Sequence, residues 1–201
     1  MTTPELQTLH EIRANTGSTA TVGLADEVVE RMLQASPTLR DAIHAAASAF
    51  TELREQQPEL LTLSEQELQL TLQQDFQNFY SPDSTCAYTP IAAKGPWLIT
   101  LHGAVLYETG GYGMLGFGHS PDSILAALAK PYVMANIKTP SIQQKRFTSM
   151  LRKKIGFRRN ACPFGKFMCL NSGSESMTVA FRLASAHAKT MTDPEGPHAG
   201  K

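Results

Sequence analysis

Apolar residues recur at helical spacing through the first third of the chain. Leu24, Val28, Val29, Met32 and Leu33 mark a short helix that ends before Pro37. Ser36-Pro37 then reads as an N-cap with proline at the first helical position. Leu39, Ile43, Ala46, Ala47, Phe50 and Leu53 carry a long amphipathic helix on to about Gln57. Ser64-Glu-Gln-Glu67 has the spacing of a capping box, with Leu68, Leu72, Phe76 and Phe79 on one stripe behind it. Residues 1 to 22 show no clear period, and 15–21 is loop-like. The segment 1-80 is therefore predicted as a helical extension that packs on a larger body or a partner.

The pattern changes after residue 80. Pro82, Pro90 and many small polar residues make 80–95 a linker or loop. Two apolar runs, 97–101 and 104–107, flank His102-Gly103 and predict a hairpin with Gly103 at the turn. Glycines at 110, 111, 113, 116 and 118 exclude a packed helix or central strand. Tyr112, Met114, Leu115 and Phe117 interleave with them, which favours a packed loop passing close to something bulky. Ser120-Pro121-Asp122 has the form of a helix start, with Ile124, Leu125 and Leu128 as the apolar face and Pro131 as the stop. Ile142, Phe147, Met150, Leu151 and Ile155 predict another helix, ended by Gly156. The cations Arg152, Lys153, Lys154, Arg158 and Arg159 read as a solvated helix end, where positive charge suits the dipole; a nucleic-acid patch is the alternative.

The most informative stretch runs from Lys166 to Ala184. Residues 167–170 are all apolar, as in a strand buried on both faces. Residues 171–174 form a polar turn in which Gly173 is free to adopt positive φ. Met177, Ala180, Phe181, Ala184 and Ala188 then make one stripe of a helix. A strand handing over to a helix through such a turn aims free backbone N–H groups and the positive end of the dipole at one spot, which suits a phosphate. Ser172 and Ser174 add hydroxyl donors.

Composition narrows the classes. Eighteen basic and eighteen acidic residues balance to zero, so the chain as a whole has no basic footprint for nucleic acid. No apolar run is long enough to span a membrane, and the first residues lack a signal-peptide core. Cys86, Cys162 and Cys169 are widely spaced and odd in number, which argues against a zinc site or a disulfide framework and for a reducing, cytoplasmic location. The six histidines are scattered, so no metal site is expected.

Two segments together resemble class III pyridoxal-phosphate aminotransferases, the family of ornithine and 4-aminobutyrate aminotransferases. Tyr112-Gly-Met-Leu-Gly-Phe-Gly-His119 is similar to the family's "GYGV-x-N-x-GH" segment. Asn171-Ser-Gly-Ser-Glu-Ser-Met-Thr-Val-Ala-Phe-Arg-Leu-Ala184 is similar to its "NSGSEANE-x-A-x-KLAR" segment. The resemblance covers about 96 to 189 and is specific as a pair. It implies an α/β fold of PLP-transferase fold type I, with 81-140 as hairpin and Gly-rich segment and 141-201 as the start of the cofactor-binding large domain. It implies pyridoxal 5'-phosphate as cofactor, an amino acid or amine and a 2-oxo acid as substrates, and a homodimer. Gly173 and Ser174 match the phosphate-binding pair, Tyr112 a position near the substrate pocket, and Glu175 an acid that suits the helix start. The family's "D-x-D-G" hairpin turn is replaced here by Thr100-Leu-His-Gly103.

No lysine stands in the family's Schiff-base position. Lys166 begins the expected strand, and Lys189 and Lys201 fall on a helix end and a tail. No "DE-x-Q" aspartate motif follows residue 184. The expectation is thus an N-terminal portion of such an enzyme, carrying a phosphate cradle and no catalytic residue of its own. Two alternatives are a truncated, non-catalytic paralogue that acts only in assembly and an unrelated phosphate-binding module. The latter lacks a Walker lysine and a G-x-G-x-x-G after a strand.

Overall fold

A computed structural model describes residues 2–77, 81, 86, 88–110, 116–132 and 139–200. The described residues combine helices with one small antiparallel sheet and divide into two compact units, Met1–Pro131 and Tyr132–Lys201. None of the described helices is long and apolar enough to cross a membrane.

The first unit is built around one long helix. Helices α1 (Pro4–Ala14), α2 (Asp26–Ala35), α3 (Pro37–Gln56), α4 (Pro58–Leu61) and α5 (Glu65–Gln73) precede strands β1 (Pro90–Lys94), β2 (Trp97–Thr100) and β3 (Val105–Tyr107), and α6 (Asp122–Leu128) follows. The α3 stripe Leu39, Ala42, Ile43, Ala46 and Phe50 is buried, at the 3–4 residue spacing that puts side chains on one face. It packs on α1, α2, α4 and the sheet. Leu6, Leu9 and Ile12 from α1, Val29 and Leu33 from α2, and Trp97, Ile99 and Val105 from the sheet close the same core. Each such side chain contributes roughly 1.5–3 kcal/mol of transfer free energy.

The expected hairpin is present. β2 pairs antiparallel with β3, with Leu98 opposite Leu106 and Ile99 opposite Val105. Gly103 takes φ +75° at the turn, and its N–H donates to the Thr100 carbonyl at 3.0 Å. A Cβ there would lie 2.7 Å from Arg13 Cγ, so both conformation and space select glycine. The Trp97 indole N–H donates to Ser36 Oγ at 2.8 Å and ties β2 to the start of α3.

Four expectations for this unit need correction. Residues 90–94 are a strand, not linker: β1 pairs with β2 through Ala92–Ile99 and Lys94–Trp97 and lies on α3. Its identity comes from its neighbours, since Pro-Ile-Ala-Ala-Lys has little strand propensity of its own. The patternless first residues contain α1, capped by Thr3, whose Oγ1 accepts from the Leu6 N–H. α5 has its capping box, but it ends at Gln73; Leu68 is buried while Leu72 and Phe76 are exposed, and Phe79 lies outside the described residues. Ser120 does not cap α6. It sits at φ +47°, the helix begins at Asp122, and the Ser120 carbonyl accepts from Lys94 Nζ instead.

The second unit consists of α7 (Ile142–Ile155) and α8 (Gly173–Thr192), where the sequence places them. Residues 167–170 form no strand. They carry no regular secondary structure and no sheet partner among the described residues, with Met168 and Leu170 exposed. A two-face-buried strand needs neighbours on both edges, and the described residues of this unit contain no strand to supply them. What orders the segment is Arg152: its guanidinium donates to the carbonyls of Phe164 and Gly165 and lies 5.4 Å from the Phe167 ring centre.

Candidate functional site

Helix α8 starts where its capping box dictates. Ser172 is the N-cap, at φ −141°, and its Oγ accepts from the Glu175 N–H at 3.2 Å. Glu175 reaches back, and its Oε2 accepts from the N–H groups of Ser172 and Asn171, each at 3.0 Å. Gly173 is therefore the first helical residue and does not adopt the positive φ expected for it. A Cβ at Gly173 would meet nothing within 4 Å, so the described residues leave the space in front of it open.

These bonds sort the donors. Two of the N–H groups of the turn are consumed by the Glu175 carboxylate. The N–H groups of Gly173 and Ser174 have no acceptor among the described residues, and the Ser174 hydroxyl makes no bond either. Three donors at the positive end of a 20-residue helix fit one anionic oxygen group. The Ser172 hydroxyl oxygen, by contrast, is engaged in accepting the cap bond from the Glu175 N–H. Glu175 works against a dianion by its charge, as a structural acid of the helix start rather than a ligand.

The turn is exposed throughout, and no described residue of the unit screens it from water. Lys189 lies sixteen residues along α8, about 24 Å from Gly173 at 1.5 Å per residue, so it cannot reach an anion held there. Lys166 makes no bond to the turn among the described residues. The turn therefore offers backbone and hydroxyl donors, and neither Lys166 nor Lys189 bonds to it among the described residues.

The Gly-rich segment belongs to the other unit. Tyr112 lies outside the described residues. The segment's end is fastened firmly. His119 exchanges both backbone hydrogen bonds with Gly95, at 2.8 and 2.9 Å. Gly118, at φ +73°, stacks so closely on Gly95 that a Cβ would lie 2.8 Å from its backbone. The His119 imidazole pairs with the Glu108 carboxylate at 2.6 Å, and Lys94 pairs with Asp122. A groove of about 550 Å³ opens beside this clasp, walled by Gly95, Glu108, Gly110, Gly116, Phe117 and His119. Glycine walls let a ligand approach the backbone, and the Glu108–His119 pair offers both a donor and an acceptor. Sequence reading singled out His119 within its motif and missed Glu108; the signal was a lone acid at the end of the second hairpin strand.

One buried carboxylate stands outside both places. Glu65 Oε2 accepts from the N–H groups of Ala20 and Thr21 and from Thr19 Oγ1, at 2.9 to 3.0 Å. Burial pushes its pKa up, but these donors outweigh burial and hold it below the ordinary carboxylate value. It fastens the 17–21 loop to α5, a structural role. Among the described residues no group of His, Cys, Asp and Glu could hold a metal ion, and the three cysteines are free.

No protein-family model, no curated protein and no solved structure matches this chain.

Proposed function

We propose that the chain takes part in pyridoxal-phosphate-dependent amino-group transfer, with Gly173 and Ser174 as the phosphate contacts. The observation that carries this reading is the pair of unsatisfied N–H groups at Gly173 and Ser174, in the segment that resembles the phosphate loop of class III aminotransferases. When bound, the cofactor supplies the electron sink for removing an amino group from an amino acid or amine and passing it to a 2-oxo acid. This chain's own part is limited to binding. The N–H groups of Gly173 and Ser174 and the Ser174 hydroxyl hold the phosphate, and Glu175 fixes the turn that aims them. The fold proposed for the whole is fold type I, and the assembly a homodimer. Tyr112 is proposed to line the substrate side.

The test is direct titration of the chain with pyridoxal phosphate, read by ligand fluorescence, against Gly173→Val. A Cβ at 173 meets no described atom within 4 Å, so with far-UV circular dichroism matching the parent, a fall in affinity reports exclusion of the ligand. Tenfold or greater weakening is expected, about 1.4 kcal/mol per tenfold. Equal affinity in both proteins removes the assignment.

A second reading, a non-catalytic assembly role, is favoured by one observation. The unit carrying the turn has no buried residue among those described. Stable complex formation by a chain that binds no pyridoxal phosphate would select it.

A further inference from the structure

The zero net charge of the chain is an average over two opposite regions. Residues 1–131 hold six Lys and Arg against fifteen Asp and Glu, and 132–201 hold twelve against three. From 123 to 174 there is no Asp or Glu at all, while ten Lys and Arg fall in that stretch. Every ion pair among the described residues lies in the first unit. Lys145, Arg146, Lys153, Lys154, Arg158, Arg159 and Lys166 are all exposed and form no ion pair among the described residues. A helix end that only needed to complement its dipole would use the last turn. Here the cations also occupy the first half of α7, at 145 and 146, and continue past its end.

Their placement forms a track. Lys145 and Arg152, and Arg146 and Lys153, are seven residues apart, so each pair stacks on one side of α7 about 10 Å along the axis. The loop after the helix continues with Arg158, Arg159 and Lys166, and two aromatic rings stand out between them: Phe157 is 80% exposed and Phe164 55%. Arg152 holds the loop in place through the Phe164 and Gly165 carbonyls. Unpaired cations along a backbone-length track, with exposed rings between them, are what a single-stranded nucleic acid requires: phosphates meet the cations and bases stack on the rings.

We infer that α7 and the 156–166 loop form a binding surface for single-stranded nucleic acid, recognised through its phosphates and base faces without sequence preference. The test uses the full chain and a fluorescein-labelled single-stranded oligonucleotide of about twenty nucleotides, followed by anisotropy. At low salt, binding is expected on the order of micromolar, and with about five phosphate contacts affinity should fall roughly a hundredfold between about 50 and about 200 mM salt. Arg158→Glu with Arg159→Glu should weaken binding at least tenfold and flatten the salt dependence. Phe157→Ala should weaken it about tenfold with the salt dependence unchanged. Arg31→Glu, in the other unit, and Gly173→Val, in the proposed cofactor turn, should leave it unaltered, which separates this surface from the cofactor reading. Far-UV circular dichroism matching the parent shows that α7 survives each change. Absence of binding at low salt, or equal binding by the Arg158/Arg159 variant, overturns the inference. So does preference for anionic vesicles, or salt-sensitive self-association without oligonucleotide binding, either of which would put a lipid or an acidic protein on this face.

Discussion

The two units of this chain solve the burial problem differently. In Met1–Pro131 the apolar stripes of three helices converge on a sheet, and residues such as Leu9, Leu39, Ile43 and Ile99 are fully buried. In Tyr132–Lys201 the helices have equally regular stripes, yet Met177 is 56% and Phe181 68% exposed. Helical periodicity is thus evidence for a helix and a face, and not for a core. The core requires a second apolar surface at the right place, which α3 finds in α1 and β1–β2 and which α8 does not find among the described residues of its unit. Folding free energy should be concentrated in the first unit, because helix propensity and caps alone hold a helix only marginally.

The sharpest way to break this contrast is to delete the same kind of side chain from each unit. Ile43→Ala removes a fully buried side chain of α3 and should cost about 2–5 kcal/mol. Phe181→Ala, on α8, should change the same melting transition by no more than about 0.5 kcal/mol. Thermal or urea unfolding followed by Trp97 fluorescence reads the first unit selectively, since Trp97 is the chain's one tryptophan and lies in β2. A comparable loss in both variants would show that α8 packs into the cooperative core.

Glycines give a second, smaller contrast. Gly103→Val must place a branched side chain at φ +75° and 2.7 Å from Arg13 Cγ. A cost of about 1–3 kcal/mol is expected from the backbone strain, with further loss if Arg13 releases the Gly103 carbonyl and Asp26. Gly173→Ala, at an unhindered helical position, should be neutral or stabilising by up to about 1 kcal/mol. A destabilised Gly173→Ala would show a crowded turn and exclude the open cradle.

Acid should act on the first unit through its paired carboxylates. At Asp26, burial raises the pKa, but hydrogen bonds from His10 and Arg13 lower it more. Glu65 shows the same balance with Thr21, Ala20 and Thr19 as donors. A carboxyl whose folded pKa lies below its unfolded value stabilises the fold fully above the unfolded value, and that contribution fades as pH falls through the folded value. For Glu65 the fading begins near its ordinary 4.5. Lowering the pH through that range should lower the Trp97-monitored midpoint, and Glu65→Gln should make the decline shallower. An unchanged profile in Glu65→Gln would mean that the 17–21 loop is held by other bonds.

Much of this was legible in residues, for identifiable reasons. α3 could be read because its stripe follows the Ser36-Pro37 start, α7 because its stripe stops at Gly156, and the hairpin because Gly103 sits between two apolar runs. α1 carries the same signals in shorter form: Thr3-Pro4 repeats the start of Ser36-Pro37, and Leu6, Leu9 and Ile12 repeat the spacing, but over too few turns to stand out from the polar residues around them. β1 could not be read from Pro90-Ile-Ala-Ala-Lys94, because pairing and packing make it a strand. The 167–170 run fails in the opposite sense: its composition suits a buried strand, and no strand among the described residues pairs with it. At the candidate site the capping box of Ser172 and Glu175 was the decisive feature. It makes Gly173 helical, takes two donors out of play and leaves those of Gly173 and Ser174 free.

The smallest expected effect isolates that capping box. Ser172→Ala removes the hydroxyl that accepts from the Glu175 N–H, and Ser64→Ala removes the equivalent acceptor for Glu67 at the start of α5. Each deletion should cost about 1 kcal/mol locally, but the two units should show it differently. α5 is anchored by Leu68 and by Glu65, so loss of the Ser64 cap should appear in the Trp97-monitored transition. α8 has no buried anchor among the described residues, so loss of the Ser172 cap should leave that transition unmoved. It should appear instead as about fivefold faster amide exchange at the first turn of α8, the factor that 1 kcal/mol gives. Freed from its cap, Glu175 should also release the Asn171 and Ser172 N–H groups. If Ser172→Ala lowers the global transition as much as Ser64→Ala does, α8 is coupled to the folded core, and the contrast between the two units fails at its weakest joint.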